Sequence, residues 1–300
     1  MSSADHVLAL DLGGTRLKVG RVDVGRGRVH DVRTADTAGR SGAAALAVVA
    51  EVGRAAAAGA GGVGLAVPGI VEDQRITALP GKFDGIVGLD LGAWLRDTFG
   101  VPAHVTNDAI AYGAGEVRHG AGAGAHRAVV VTIGTGVGVT VYEDGLPTGT
   151  GPYGAGILGG QIPISDPTGP LDTNGRAGTI EARCRAATIT HRAAEAGCDA
   201  TDVPAVLAAA RDGDERALVV VDETRRWLAT ALVALAHAHG PDVVVLGGGA
   251  MPADSPVLSG LEDAVNAQLW PGYEVRVRPA ALGDHASLLG LAHLTVRGRS

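Results

Sequence analysis

The amino-terminal half of the chain alternates short apolar runs with glycine turns and amphipathic stretches. Residues 7–10 are apolar and are followed by a glycine turn, after which Leu17, Val19 and Val22 stand among polar residues. This pattern predicts a β-hairpin, formed by a buried strand, the turn and a returning strand. By the same criteria, we predict helices at 43–58, at 91–99 and from 109, and strands at 63–67 and 103–106. Such alternation is typical of α/β proteins.

The second half of the chain opens with the same local pattern. An apolar run at 128–133 leads into a glycine turn and then into a second strand-like run at 138–142. The repeated strand, glycine turn and strand form a weak internal repeat. After a loop-rich segment at 145–179, helices are predicted at 180–196, 203–211, 214–239 and 286–296, and a strand at 243–246.

Composition places the chain among folded globular proteins. Hydrophobic residues make up 46% and charged residues 19% of its 300 residues, which excludes a disordered chain. Glycine occurs 47 times, a share more than double the usual value of about 7%, without the period of collagen. The excess reflects either loops that approach a ligand closely or a general drift of composition towards Ala, Gly and Val.

Net charge, cysteine content and the lack of long apolar runs indicate which partners and which cellular location to expect. The 25 basic and 32 acidic residues give a net charge of −7, which disfavours a nucleic-acid partner. Cys184 and Cys198 lie in no metal-binding pattern, so we expect reduced thiols. Because the sequence shows no signal peptide and no apolar run long enough to span a bilayer, we expect a soluble cytoplasmic protein without a membrane partner.

Three glycine-rich turns follow predicted strands, and the first of them is a candidate phosphate-binding loop. The first, Asp11-Leu-Gly-Gly-Thr15, follows the first predicted strand. Glycines there let backbone amides face a phosphate, and a carboxylate at the strand end can hold a hydrated Mg²⁺ ion. A plain glycine hairpin with a turn-forming Asp explains the same residues equally well.

The second and third turns lie in the other half of the chain. Thr132-Ile-Gly-Thr-Gly-Val-Gly138 lacks the spacing of a dinucleotide-binding fingerprint and precedes strand-like residues, so a dehydrogenase is disfavoured. A tight hairpin without a ligand remains an alternative there. Residues 243–249 end an apolar strand in three glycines, which on its own is a common structural feature of α/β proteins.

Asn107 and Asp108 stand where a predicted strand meets a predicted helix. An Asp in that position is commonly a helix N-cap. The carboxyl ends of strands are also where α/β sheets bind ligands. A structural and a chemical role for Asp108 therefore both stay open on position alone.

The order of these motifs along the chain resembles that of one protein family. The motifs are Asp11 to Thr15, Val67-Pro-Gly-Ile70, Leu79-Pro-Gly81, Asn107-Asp108-Ala109, Gly134-Thr-Gly136, Gly247-Gly-Gly249 and the segment 281–290. Over nearly its whole length the sequence resembles the ROK family (repressors, open reading frames, kinases), whose enzymes are ATP-dependent sugar kinases.

The resemblance implies an α/β protein with the actin-like ATPase (ribonuclease H-like) fold, in which two α/β domains flank a cleft. We expect an amino-terminal domain at 1–118, against which a helix at 286–300 packs, and a carboxy-terminal domain at 119–285. The resemblance also implies ATP and Mg²⁺ as cofactors and a sugar or sugar-like substrate. A homo-oligomer, either a dimer or a tetramer, is expected as well.

The resemblance further implies roles for individual residues. Asp108 corresponds to the general base that accepts the proton of a sugar hydroxyl, and Asp11 to a Mg²⁺ ligand that acts through water. The implied sugar-binding positions are Asn107, Gly69, Gly81 and Glu181. The implied nucleotide-binding positions are Asp11, Gly13, Gly14, Thr15, Thr132, Gly134, Thr135, Gly136, Gly247, Gly248 and Gly249. Phosphoryl transfer needs such positioning groups and one proton acceptor.

The zinc motif of the family is altered in this chain. The pattern C-x-C-G-x-x-G-C-x-E corresponds to residues 172–181, where Asp172, Asn174 and Thr179 replace the three cysteines. Structural zinc prefers thiolate and imidazole ligands. We therefore expect no zinc, and a loop held by hydrogen bonds or packing instead.

A second departure affects the implied sugar contacts. In the family motif A-G-E-x-G-H, Ile157 replaces the acidic residue and Gly160 replaces the histidine, which leaves Gln161 as a candidate to compensate. Glu181 keeps its place, either as a sugar ligand or as a first-turn Glu favoured by the helix dipole. The acceptor thus stays open among glucose, an amino or N-acetylated hexose and a cyclitol-like compound, and so does the hydroxyl that is phosphorylated.

Two functions fit the retained residues. ATP-dependent phosphorylation of a sugar hydroxyl is favoured, because Asp108 is retained together with both phosphate loops. A non-catalytic protein that binds a sugar or a nucleotide is the alternative. The winged helix-turn-helix of the family's repressors is not expected, because Asp11 lies close to the start of the chain.

Overall fold

The structure of the protein, a computed structural model, describes residues 6–79, 81–149, 151 and 153–298. The chain divides into two compact units. The first unit comprises Met1–Gly120, Gly149–Gly154 and Asp284–Ser300, and the second comprises Ala121–Thr148 and Ala155–Gly283. Each unit contains its own five-stranded sheet.

Strands and helices alternate along the chain as in other α/β proteins. The strands are β1 (His6–Leu12), β2 (Arg16–Asp23), β3 (Arg28–Asp36), β4 (Gly62–Val67), β5 (Ile70–Glu72), β6 (Arg75–Ala78), β7 (Ala103–Asn107), β8 (Arg127–Ile133), β9 (Val137–Glu143), β10 (Leu146–Pro147), β11 (Val243–Gly247) and β12 (Arg276–Pro279). The helices are α1 (Gly42–Arg54), α2 (Leu91–Phe99), α3 (Asp108–His119), α4 (Ile180–Cys184), α5 (Ala186–Glu195), α6 (Val203–Arg211), α7 (Glu215–His239), α8 (Leu261–Asn266) and α9 (Ala286–Arg297).

The sheet of the first unit has the strand order β3-β2-β1-β4-β7. The first three strands pair antiparallel, whereas β1, β4 and β7 are parallel. In the register of these parallel strands, Asp11 lies opposite Ala66, and Val67 lies opposite Asn107. The carboxyl ends of the three strands therefore meet at one edge of the sheet, which gathers residues that are far apart in the sequence.

Apolar residues at alternating positions build the core of the first unit. Leu8 and Leu10 of β1 are buried in the same cluster as Leu46 and Val49 of α1. The carboxy-terminal helix α9 belongs to this unit and packs against β1, β4 and α3. At its crossing with α3 the backbones nearly touch, because Gly290 has no side chain there.

The second unit repeats the strand arrangement of the first. Its sheet has the order β10-β9-β8-β11-β12, with an antiparallel β8–β9 hairpin and parallel β8, β11 and β12. The valine-rich strand β11 is fully buried, as expected for a parallel strand covered on both faces. The longest helix, α7, begins at the N-cap Asp214 and ends at Gly240. Within the described residues, no helix combines the length and apolar character needed to cross a membrane.

Most elements predicted from the hydrophobic pattern are confirmed, including both hairpins and α2, α6 and α9. The helix predicted at 43–58 ends at Arg54, and the one predicted at 180–196 is broken at Arg185, whose backbone is extended. Strand β3 was not predicted, because most of its residues are exposed and it has no apolar face to show in the sequence.

Candidate active site

Asp11 lies near the end of β1, next to the first glycine turn. Its half-buried carboxylate accepts a hydrogen bond of 2.6 Å from the Ser287 hydroxyl at the start of α9. Burial raises the pKa of the Asp11 carboxyl, while the Ser287 hydrogen bond and the charge of Lys18 oppose the rise. Because Mg²⁺ prefers carboxylate oxygens and keeps some of its water, Asp11 is the residue here whose chemistry suits that ion.

Contacts of the first glycine turn leave two of its amides free. The Gly13 amide donates to the Arg16 carbonyl at 3.0 Å, and the Thr37 hydroxyl donates to the Gly13 carbonyl at 2.8 Å. Among the residues that the structure describes, the amides of Gly14 and Thr15 donate to no protein acceptor. Free amides in a tight turn form a concavity that binds anions, which is what a phosphate loop requires.

Asn107 ends β7 and caps α3. Its Oδ1 accepts hydrogen bonds from the amides of Ala109 at 2.8 Å and Ile110 at 3.2 Å. Its Nδ2 donates to the Gly69 carbonyl at 2.8 Å and has a second hydrogen left to donate. Gly69 has a φ of 91°, and a Cβ there would lie 2.3 Å from the Ala78 carbonyl oxygen, so only glycine fits. The buried Asn107 side chain thus ties β7 to the turn after β4.

Asp108 is the first residue of α3 and is half-buried. Its carboxylate accepts a hydrogen bond of 2.8 Å from the Ala109 amide. Burial and the negative charge of Asp11 raise the pKa of Asp108 to about 6, against the lowering effects of the Ala109 amide and the Lys82 ammonium. A carboxyl with this pKa is ionised at neutral pH and accepts a proton more readily than an ordinary Asp.

Lys82 lies beside the first glycine turn and was not predicted as a site residue. Its Cδ, Cε and Nζ atoms lie 3.2–3.4 Å from the position that a Cβ on Gly14 would occupy. Gly81, the predicted sugar-binding residue just before it, is exposed and has open space around its Cα. A lone lysine after a loop carries no pattern that marks it, since its contact with Gly14 forms only in the folded chain.

The second glycine turn joins β8 and β9 in the second unit. The Gly134 amide donates to the Gly136 carbonyl at 2.9 Å. Within the described part of the chain, the amides of Thr135 and Gly136 donate to no acceptor. Thr132, which pairs with Gly247 of β11, stands two residues before the turn. The free amides of this turn match those of the first one.

The third glycine turn follows β11 and packs on the end of β8. Gly248 has a φ of 94°, and a Cβ there would lie 2.4 Å from the Ile133 carbonyl oxygen. The Ala250 amide donates to that same oxygen at 2.9 Å. Gly249 has open space where its Cβ would be. The structure thus brings together the predicted nucleotide-binding residues of the second unit.

Glu181 is buried, and both of its carboxylate oxygens already accept hydrogen bonds. Oε1 accepts from the amide of Thr173 at 2.7 Å and from its hydroxyl at 2.6 Å, and Oε2 accepts from the Val137 amide at 3.1 Å. Oε2 also lies 2.7 Å from the position of a Cβ on Gly136. Glu181 therefore joins the second glycine turn to the loop at 172–181, and its direct contact with a sugar stays a prediction.

A hydrogen-bond network holds the loop at 172–181. The buried Asp172 accepts from the amides of Asn174 and Arg176, both at 2.9 Å, and from the Thr179 hydroxyl at 3.0 Å. Asn174 in turn donates to Gln161 at 3.1 Å. Asp172 is thus bonded to both of the other positions that are cysteines in the family motif. A carboxylate, an amide and a hydroxyl do not match the thiolate and imidazole ligands of structural zinc.

Ile157 and Gly160 stand where the family motif has charged or ionisable residues. A Cβ on Gly160 would lie 2.2 Å from the Val137 carbonyl oxygen, so a side chain fits there only if the backbone moves. Ile157 is half-buried. Both substitutions remove hydrogen-bonding groups from this segment.

Comparisons with known proteins agree with the motif order. The model of the ROK family matches residues 7–297. A glucokinase of Thermotoga maritima is 30% identical to the chain over 310 residues, and the match covers 96% of each protein. An N-acetylmannosamine kinase of Citrobacter koseri is 32% identical over 292 residues, covering 96% of this chain and 97% of the relative.

A solved structure of a ROK family protein is similar to this chain over nearly its whole length. The crystal structure of a ROK family glucokinase from Streptomyces griseus in complex with glucose and AMPPNP superposes with a TM-score of 0.83 at 25% identity. The superposition covers 96% of this chain and 98% of that one. Such neighbours have the actin-like ATPase fold, which confirms the predicted fold class. Because the family model spans nearly the whole chain, the protein belongs to the ROK family.

Proposed function

We propose that the protein is an ATP-dependent sugar kinase that phosphorylates a hydroxyl of a hexose or a sugar-like substrate, with Asp108 as the general base. The observation that carries this proposal is the half-buried Asp108 carboxylate, whose pKa of about 6 suits a proton acceptor. Asp108 directly follows β7, which is parallel to β4 and β1 in the same sheet. Strand β1 leads into the first glycine turn, which carries free amides. The glucokinase and N-acetylmannosamine kinase relatives support the substrate class.

Asp108 would act on the hydroxyl of the acceptor. The hydroxyl proton moves to the carboxylate, and the oxygen forms a bond to the γ-phosphorus of ATP. The bond between that phosphorus and the β–γ bridging oxygen breaks, and ADP leaves with its electron pair. A positioned base of this kind contributes about 10²–10⁴-fold to the rate.

The glycine turns would bind phosphate through their free amides. In the first unit this role falls to residues 13–15, and in the second unit to residues 134–136, with 247–249 on the adenosine side. Asp11 would hold Mg²⁺ through water, and the ion would neutralise phosphate charge when bound. The hydrogen bond from Ser287 keeps the Asp11 carboxylate in one orientation.

Asn107, Gly69 and Gly81 are the residues of the first unit that we propose to bind the acceptor sugar. Asn107 has a second Nδ2 hydrogen with which to bind a sugar hydroxyl. Gly69 and Gly81 belong to the same unit as Asp108, the proposed general base. Ile157 and Gly160 cannot provide the charged contacts of the family motif. We therefore expect the preferred sugar to depend less on an acidic partner than the family pattern implies.

The proposal excludes zinc and includes a homo-oligomer, either a dimer or a tetramer. The zinc positions carry unsuitable donors, and the Asp172 carboxylate already accepts three hydrogen bonds. The net charge of −7 disfavours nucleic acid as a partner. Metal analysis and light scattering of the purified protein test these points.

A coupled assay of ADP release tests the proposed activity. The full chain is incubated with Mg²⁺, ATP and a panel of glucose, amino and N-acetylated hexoses and cyclitols. We expect one acceptor to stimulate ADP release, and Asp108→Asn to lower kcat by about 10²–10⁴-fold. Asp97→Asn, which alters an exposed residue of α2, is the matched control. If ATP binds but no acceptor stimulates ADP release, the protein is a non-catalytic binder.

A further inference from the structure

Lys82 is a cation of the first unit that the proposed reaction has not used. The chain contains 25 basic residues, of which only Lys18 and Lys82 are lysines. Lys18 is paired with Asp284, to which its Nζ donates at 2.8 Å and 2.9 Å. Lys82 is half-buried, and within the described residues its ammonium donates no hydrogen bond and forms no ion pair.

The Lys82 side chain lies along the backbone of the first glycine turn. Its Nζ is 3.4 Å and its Cε is 3.2 Å from the position of a Cβ on Gly14. The close approach is possible because residue 14 has no side chain. The free amides of Gly14 and Thr15 belong to the same turn. One ammonium and two amides, all of them donors, therefore meet at this place.

Within the part of the chain that the structure describes, no group accepts a hydrogen bond from these donors. The carboxylates of Asp11 and Asp108 accept hydrogen bonds from Ser287 and Ala109, and neither accepts one from Lys82. The Lys82 ammonium has three hydrogens that it can donate to a ligand. An ammonium beside the amides of a glycine turn is a donor set that suits phosphate oxygens. An anion from solution would supply the acceptors that these donors do not find among the described residues.

We propose that the Lys82 ammonium contacts the phosphoryl group at the first glycine turn and stabilises its charge during transfer. This inference rests on the proposed kinase function and makes Lys82 a catalytic residue. During transfer the negative charge is spread over three phosphoryl oxygens, and a preorganised cation beside them lowers the barrier. Lysine suits this role because its compact charge has rotating donors, whereas the guanidinium of Arg is a rigid fork.

Kinetics of Lys82 variants give the first test. Lys82→Met should lower kcat by about 10²–10³-fold and change the KM for the sugar much less, because the lost contact acts mainly in the transition state. Lys82→Arg should recover part of the rate. Arg54→Met, which removes an exposed cation at the end of α1, should keep the full rate. A Lys82→Met variant with at least a third of the wild-type kcat overturns the proposal.

Trace acetylation gives a test that needs neither catalysis nor a variant. The wild-type protein is labelled with acetic anhydride, with or without inorganic tripolyphosphate at matched ionic strength, and mass spectrometry gives the ratio of acetylated Lys82 to Lys18. Tripolyphosphate should lower this ratio several-fold, because phosphate oxygens would cover the Lys82 ammonium alone. An unchanged ratio overturns the proposal. Protection in a protein that phosphorylates no acceptor would refute the kinase function and support Lys82 as a phosphate ligand.

Discussion

Replacing Asp108 by Asn should make the protein more stable while removing its activity. Asn has nearly the same shape as Asp, and its Oδ1 can still accept the hydrogen bond of 2.8 Å from the Ala109 amide. The substitution therefore removes the negative charge and leaves the surrounding contacts in place. The change in the free energy of unfolding then measures how much the negative charge of Asp108 destabilises the folded protein.

The pKa of Asp108 sets the size of the effect. The value rises from 3.8 to about 6 in the folded protein, so ionisation costs about 3 kcal/mol more there than in the unfolded chain. This cost is a net value, because the pKa of about 6 already includes the favourable hydrogen bond from the Ala109 amide at the start of α3. We therefore expect Asp108→Asn to raise the free energy of unfolding by about 3 kcal/mol at about pH 7.5.

The direction of the pKa shift sets the pH range. Because the folded pKa lies above the unfolded pKa, the folded protein holds the proton more tightly. The cost of ionisation is absent below 3.8, grows as the pH rises towards about 6 and is complete above that value. The advantage of Asp108→Asn should therefore be large near neutral pH and vanish at about pH 4.

Urea denaturation of the full chain, followed by circular dichroism, measures both points. Wild type, Asp108→Asn and Asp97→Asn are compared at about pH 7.5 and about pH 4. The exposed Asp97 should show no gain at either pH. A variant at 108 that is no more stable than the wild type near neutral pH would refute the reasoning, and so would a gain that persists in acid.

Three further predictions follow from contacts in the two units. The kcat/KM for the sugar should fall about tenfold per pH unit below about pH 6, as Asp108 becomes protonated; a rate that stays constant down to pH 5 would contradict its role. Gly290→Ala should lower the free energy of unfolding by about 1–3 kcal/mol, because its Cβ would lie 1.8 Å from the Ala111 carbonyl oxygen. Thermal denaturation measures the effect, and Gly298→Ala, which has no neighbour closer than 3.5 Å, should leave the melting temperature unchanged. Asp172→Ala should lower the free energy of unfolding by about 1–3 kcal/mol, because three hydrogen bonds to the carboxylate are lost. A chelator should leave the melting temperature of the wild type unchanged, and a lower melting temperature would indicate a bound metal.

Strand ends are the part of the candidate site that the sequence predicts well. An apolar run that stops at Asp11, and another that stops at Asn107, mark the carboxyl ends of parallel strands. The carboxyl ends of parallel strands lie at the same edge of a sheet, so the α/β class predicts that Asp11 and Asn107 lie at one edge. The glycine turns could be predicted from the sequence as well, since each one directly follows a buried strand.

Contacts between distant segments could not be predicted in the same way. The Ser287 hydroxyl bonds to Asp11 across 276 positions of sequence, and no local pattern links α9 to the first turn. Lys82 meets Gly14 through a loop without apolar periodicity. The helix predicted at 180–196 is broken at Arg185, whose backbone is extended, although neither Gly nor Pro stands there to mark a stop in the sequence.

Hydrogen-bond capacity separates charged residues that hold the fold from those left for a ligand. Lys18 is paired with Asp284, and both carboxylate oxygens of Glu181 accept hydrogen bonds from the protein, so both side chains hold parts of the fold together. This favours a role for Glu181 in positioning the second glycine turn over direct contact with a sugar. Burial and the charge of Asp11 disfavour the negative charge of Asp108, and the Lys82 ammonium forms no hydrogen bond or ion pair with a described residue. A chain selected for stability alone would have removed both charges. Both charges lie in the unit whose first glycine turn carries free amides, and the proposed function gives each of them a role.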